Sequence, residues 1–240
     1  MTSSPAAAPP SVPQFGRVGV WRSASLLTPA TAAGIERLGY GTVWIGGSPD
    51  ADLGIAEQVL DATERVTVAT GIVNIWKAPA TEVAASFHRL EERHPNRFML
   101  GIGIGHREAQ GEQYQKPYAA LMEYLDTPDA GGLPIDRRVI SALGPQTLRL
   151  SVKRAAGTHP YMTTPAHTRF AREIVGPEAL VAPEQRLVLN ENVTEARATA
   201  REFLARYLTR ELSPNPRKPW VHSGRPRQRR HRRSRRRART

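Results

Sequence analysis

From Phe15 onward the chain alternates short β-branched runs with longer amphipathic stretches, and that alternation is the sequence mark of parallel βα units. Seven units can be placed. The strand runs are Phe15–Trp21, Thr42–Gly46, Val66–Trp76, Phe98–Gly105, Arg137–Leu143, His159–Thr163 and Arg186–Leu189. The third, VTVATGIVNIW, is nearly unbroken in β-branched residues, as a strand buried on both faces should be. Helices are expected over 28–38, 53–62, 79–94, 117–125, 144–156, 166–175 and 194–208. Their ends are punctuated: Gly39 follows the first, Pro79 begins the third, Gly144 with Pro145 opens the fifth, and Thr164 with Pro165 starts the sixth. Thr194 with Arg197 makes an imperfect capping box for the seventh.

Parallel strands joined by helices build either an open doubly wound sheet or a barrel. An open sheet usually shows a glycine-rich phosphate turn after its first strand, but VGVWRSAS stands here and no GxGxxG is present. The expected fold is therefore α/β, a (β/α)8 TIM barrel with about seven βα units and its last strand missing. Barrels collect catalytic side chains at the carboxyl ends of their strands, which singles out Trp21, Asn74, Ile75, Trp76, His106 and Glu184.

The formal charge of +12 suggests a polyanionic partner until it is located. Twelve Lys and Arg, and no Asp or Glu, lie between Ser213 and Thr240, leaving 22 basic and 22 acidic residues before them. The body is neutral. Residues 1–14, rich in Pro, Ala and Ser, read as a disordered lead-in without signal-peptide character; 15–209 form the barrel domain and 210–240 a disordered Arg-rich tail. The chain has no cysteine, which excludes disulfides, thiolate metal sites and cysteine nucleophiles and permits the cytoplasmic setting expected here. No apolar run reaches the ~18 residues a membrane span needs.

Five segments, GYGTVWIGG, VATGIVNIW, RFMLGIGIGH, ALGPQTLRLSVKRAAGTHPYMTTPAHT and LVAPEQRLVL, match in order and spacing those of the luciferase-like superfamily of flavin- and deazaflavin-dependent oxidoreductases. The chain most resembles its coenzyme F420-dependent branch, over roughly Phe15 to Thr209. The resemblance implies that coenzyme F420, or alternatively FMN, lies at the carboxyl-end mouth and exchanges hydride with a small organic substrate. An FMN- and oxygen-dependent monooxygenase is the alternative on the same fold, and a homodimer is implied because relatives are often dimers.

The resemblance also assigns positions. Val73, Asn74 and Ile75 match a strained peptide that backs the ring in relatives; read as plain residues, Val73 and Ile75 are core side chains and Asn74 a strand-end polar group. His106 follows GIGIG directly, where a neutral imidazole can hydrogen-bond the ring or pass a proton, or be a solvated loop histidine; Glu108 reads as a surface charge. Gly144 and Pro145, with Thr163 and Thr164, match the phosphate region, where first-turn N–H groups attract an anion. His159 faces the same mouth or is a buried structural histidine. Many relatives carry an acidic residue or His just after the second strand, whereas this chain has Gly46, Gly47 and Ser48. Glu184 and Gln185 stand as substitutes for that acid–base role, or as polar caps before the seventh strand.

Relatives continue through an eighth strand and helix, so weak or absent turnover is expected of a chain lacking them. The Arg-rich run reads as the product of a frameshift or truncation near Arg210, because GC-rich DNA read one base out of frame yields arginine codons. The competing reading is a basic arm that binds nucleic acid by counterion release; adventitious binding by such a tail is expected in either case.

Overall fold

The computed structural model describes residues 13–106 and 110–211. Residues 1–12 of the expected lead-in, residues 212–240 of the tail, and Glu108 lie outside the described residues. Strands β1 (Gly19–Ser23), β2 (Thr42–Gly46), β3 (Thr67–Thr70), β4 (Val73–Asn74), β5 (Phe98–Gly103), β6 (Arg138–Ile140), β7 (Gly157–Thr158) and β8 (Leu180–Val181) form one parallel sheet. Its order is β1-β2-β3-β5-β6-β7-β8, with β4 pairing β5 as the continuation of β3. Helices α1 (Pro29–Arg37), α2 (Gly54–Asp61), α3 (Ala80–Arg93), α4 (Pro117–Ala130), α5 (Pro145–Arg154), α6 (Pro165–Val175) and α7 (Val193–Glu211) complete an incomplete TIM barrel. Among the described residues β1 pairs only with β2 and β8 only with β7, so the ring does not close.

The strand sequences are apolar on both faces because each face enters a different core. Val43 and Ile45 of β2, Val68 of β3, Phe98, Leu100 and Ile102 of β5 and Ile140 of β6 point out to the helices, meeting Ala32, Ile35, Val59, Val83, Phe87 and Leu90. The intervening residues Trp44, Ala69, Met99 and Val139 point inward, joined by Phe15, Trp21, Leu180 and Ala182. Inward positions also include Gly101, where a Cβ would lie 1.9 Å from the Thr70 carbonyl oxygen. The Thr70 hydroxyl donates to the Gly101 carbonyl and accepts from the Gly101 N–H (2.9 and 2.8 Å), so this close approach is itself hydrogen-bonded.

Helix ends follow local chemistry. Thr28 and Thr164 cap α1 and α6 by accepting from Thr31 N and His167 N, and Gly39 and Gly176 leave the same helices at positive φ. The seventh helix is capped differently from expectation. Asn192, not Thr194, accepts from Thr194 N and Glu195 N, and its amide donates to Glu195 (3.0 Å). An Asn can serve both as N-cap acceptor and as donor to the third-position carboxylate, which Thr with Arg cannot.

Three strand expectations are corrected. The long third run is broken at Gly71–Ile72, whose peptide is cis, into the strands Thr67–Thr70 and Val73–Asn74. The sixth strand lies at Gly157–Thr158, ahead of His159–Thr163. The seventh is Leu180–Val181 rather than Arg186–Leu189, where Leu187 and Leu189 are 74% and 92% exposed. Replacing Gly101 with Ala should destabilise the fold by about 1–3 kcal/mol or more, the range for overpacked cores, read as a lower urea midpoint at unchanged slope. An unchanged midpoint would show that β3 and β5 can part to admit the methyl group.

Candidate active site

At the carboxyl end of the sheet, the inward-pointing side chains change from aliphatic to aromatic and polar. The Trp21 indole lies across Gly46, where any Cβ would be 1.8 Å from the ring, and its Nε1 donates to the Gly71 carbonyl (3.1 Å). His159 stacks on Trp44 with ring centroids 4.2 Å apart and planes 6° from parallel. Its Nδ1 donates to the Ala182 carbonyl (2.7 Å), and burial pulls its pKa down to about 4, against that hydrogen bond. The ring is therefore neutral near pH 7, with Nε2 left as an acceptor.

Backbone pairing carries the chain past β8 onto the rim. Ala182 N donates to Thr158 O and Glu184 N to Pro160 O, which sets Glu184 just outside the strand end. Its carboxylate is nearly buried, one oxygen 2.9 Å from Arg186 Nε and the other without a hydrogen-bond partner. Burial pushes the Glu184 carboxyl up to about 7, outweighing the pull of Arg186. The Arg186 guanidinium lies over three rings, Trp21 (5.1 Å), Phe203 (4.4 Å) and Tyr161 (5.8 Å), and donates to the Tyr161 hydroxyl (3.3 Å).

The sequence-singled residues fall into three sets. Trp21, His106 and Glu184 come together, bridged by Arg186 and by Tyr161, whose ring is 5.6 Å from that of His106. Gly144, Pro145, Thr163 and Thr164 form a second set at the starts of α5 and α6. Here His167 Nε2 meets the Leu143 carbonyl (2.9 Å), and Gln185 donates to the Thr163 carbonyl (3.0 Å). Gly144 offers α5 no side-chain cap. The third set turns elsewhere. Val73 is buried among the helices; Asn74 accepts from Trp76 N (3.0 Å), and Trp76 Nε1 donates to the Ile104 carbonyl (2.9 Å). Ile75 packs on the outer core. Arg186 escaped the sequence reading because RLVL resembles a strand; its signal was the Glu184-x-Arg186 spacing in an extended segment.

The rim also holds polar atoms that the protein itself leaves unpaired. Among the described residues, His159 Nε2, Thr163 Oγ1, His167 Nδ1 and Glu184 Oε2 are all buried without a hydrogen-bond partner, and all follow β7 or β8. No group of three or more His, Asp or Glu is placed to hold a metal ion among the described residues.

Residues 27–130 match the profile of the luciferase-like monooxygenase family. That stretch is similar to a luciferase-like monooxygenase domain. No curated protein sequence matches the chain. Among solved structures, the fold here is similar to an F420-dependent secondary alcohol dehydrogenase in complex with an F420–acetone adduct (TM-score 0.62, 14% identity, covering 76% of this chain and 72% of that one). It is similar also to the monooxygenase RslO1 from Streptomyces bottropensis (0.57, 16%, 76% and 71%). A third likeness is to the coenzyme F420-dependent tetrahydromethanopterin reductase from Methanopyrus kandleri (0.51, 15%, 65% and 59%). At these identities the likeness is one of fold. No helix among the described residues is long and apolar enough to cross a membrane.

The two shifted groups on the rim act on stability with opposite signs. Glu184, raised from 4.5 to about 7, binds more protons folded than unfolded, so its contribution is complete below pH 4.5 and is lost as pH rises through 7. His159, lowered from 6.5 to about 4, contributes above pH 6.5 and loses that contribution as pH falls through 4. The stability of Glu184→Gln relative to the parent should therefore rise between pH 4.5 and 7 by on the order of 2–3 kcal/mol. Urea melts across that range test this, and a constant difference would place Glu184 at its ordinary pKa.

Proposed function

We propose that the chain is an oxidoreductase domain that binds coenzyme F420 at the rim around Trp21, Glu184 and Arg186 and exchanges hydride with a small organic substrate. The observation that carries the reading is the conjunction, at the carboxyl end of parallel strands, of stacked planar groups with four buried, unpartnered polar atoms. When bound, the deazaflavin supplies two-electron hydride chemistry, which no side chain here can supply.

The residues of the chain orient and protonate. Trp21 is held in place by its bond to Gly71 and covered by the Arg186 guanidinium, so a flat ring would stack on the indole by taking the place of that guanidinium. Glu184, with its pKa about 7, holds or releases a proton at Oε2 near neutral pH, as a general acid or base must. Neutral His159 adds an acceptor at Nε2 on the inner side. The uncapped first turn of α5 at Gly144, beside Thr163 and His167, attracts the phosphate of the cofactor without a basic side chain. His106, against Tyr161, bounds the substrate side. The likeness to a monooxygenase fold supports a second reading, with FMN in the same place.

Titrating the full chain separately with coenzyme F420 and FMN, followed by tryptophan fluorescence and ligand absorbance, tests both. Coenzyme F420 should bind with micromolar affinity and at least about tenfold tighter than FMN, and Thr163→Val should weaken it by about fivefold, roughly one lost hydrogen bond. Tighter FMN binding would transfer the proposal to the monooxygenase, and binding of neither would overturn it.

A further inference from the structure

An open pocket lies away from the rim. It has a volume of about 240 Å³ and is lined by Ile75 and Trp76, just after β4, and by Ala120, Glu123, Tyr124 and Thr127 along one face of α4. Ile75 and Tyr124 pack on the outer core between sheet and helices, whereas Trp21 and Ala182 belong to the inner one, so the two places are on different sides of the sheet. The volume holds roughly eight water-sized groups at ~30 Å³ each, too few for a tricyclic ring with its side chain.

The lining has a definite chemical character. Its polar side chains, Glu123, Tyr124 and Thr127, end in oxygen, and Trp76 has its one N–H committed to the Ile104 carbonyl. The Tyr124 hydroxyl is buried with no hydrogen-bond partner, a costly state for a polar atom unless something completes it. Glu123, which is exposed to solvent, has no ion pair among the described residues, and no Lys, Arg or His lines the pocket. Acceptor oxygens, one carboxylate and an indole face suit a compact donor with positive charge and disfavour an anion.

We infer that this pocket is a binding site for a small organic ammonium ion, its N–H groups donating to Glu123 and Tyr124 and its apolar body resting on Ile75, Trp76 and Ala120. The site stands independently of the redox reading. An ammonium offers up to three N–H donors to these oxygens, where an alcohol offers one and a carboxylate none.

The test uses the full chain and three probes of one shape: benzylammonium, benzyl alcohol and benzoate, by calorimetry and saturation-transfer NMR. Benzylammonium should bind in the millimolar range, about tenfold tighter than benzyl alcohol, with benzoate not detected. Glu123→Gln should weaken it about tenfold, and Tyr124→Phe severalfold. Ala120→Leu, which fills the pocket without touching its charge, should abolish binding while the circular dichroism of the chain stays unchanged. Equal binding of the three probes, no binding of benzylammonium, or affinity unmoved by Glu123→Gln would each overturn the assignment.

Discussion

The interior of this half-barrel is organised around one stacked pair, Trp44 on β2 and His159 just past β7. The two residues are far apart in sequence, and their rings lie nearly parallel across the inside of the curved sheet. Such a pair contributes about 0.5–1.5 kcal/mol beyond its buried area, but its geometric effect is larger. His159 also donates to Ala182, so one imidazole ties β2, β7 and β8 together. Burial keeps that imidazole neutral, and only a neutral ring can pack flat on Trp44 without an uncompensated charge inside the sheet. The same end of the sheet carries Arg186 over Trp21.

The same alternation that builds the fold limits what could be read from it. Strands β2, β3 and β5 send apolar residues to two cores, and such runs announce themselves. β7 and β8 do not, because each is two residues long and joined by pairings such as Leu180 N to Ala156 O, which no local pattern encodes. The decoy RLVL drew the seventh strand because apolar spacing was the criterion, yet the ladder needed small inward residues at Ala182 and Ala156. Leu187 and Leu189 were left exposed as a result. The cap of α7 was missed for a related reason: Asn192 acts through its side-chain amide as well as its oxygen, a reciprocity that a Thr-based rule does not search for.

The rim was legible where it depended on strand ends and illegible where it depended on contacts between loops. Trp21 followed from its strand, whereas Glu184, named ahead of a strand expected at Arg186–Leu189, lies past the end of β8. Arg186 did not follow from position, since its importance comes from three rings supplied by β1, the β7 loop and α7. Val73 was legible as a core side chain, because strand alternation turns it to the helices and leaves its peptide toward the inner side.

The link between the rim and the fold is the charge state of Glu184. A carboxyl held near neutrality by burial is poised to give or take a proton, but in the ionised form it is a liability to the folded state, relieved in part by Arg186. Arg186 in turn is spread over three aromatic faces, which keeps it in place without burying it completely. A ligand that stacks on Trp21 must share or displace that guanidinium, and displacement would remove the ion pair and push the Glu184 pKa further up. Binding and proton affinity at this rim are therefore coupled through a single side chain.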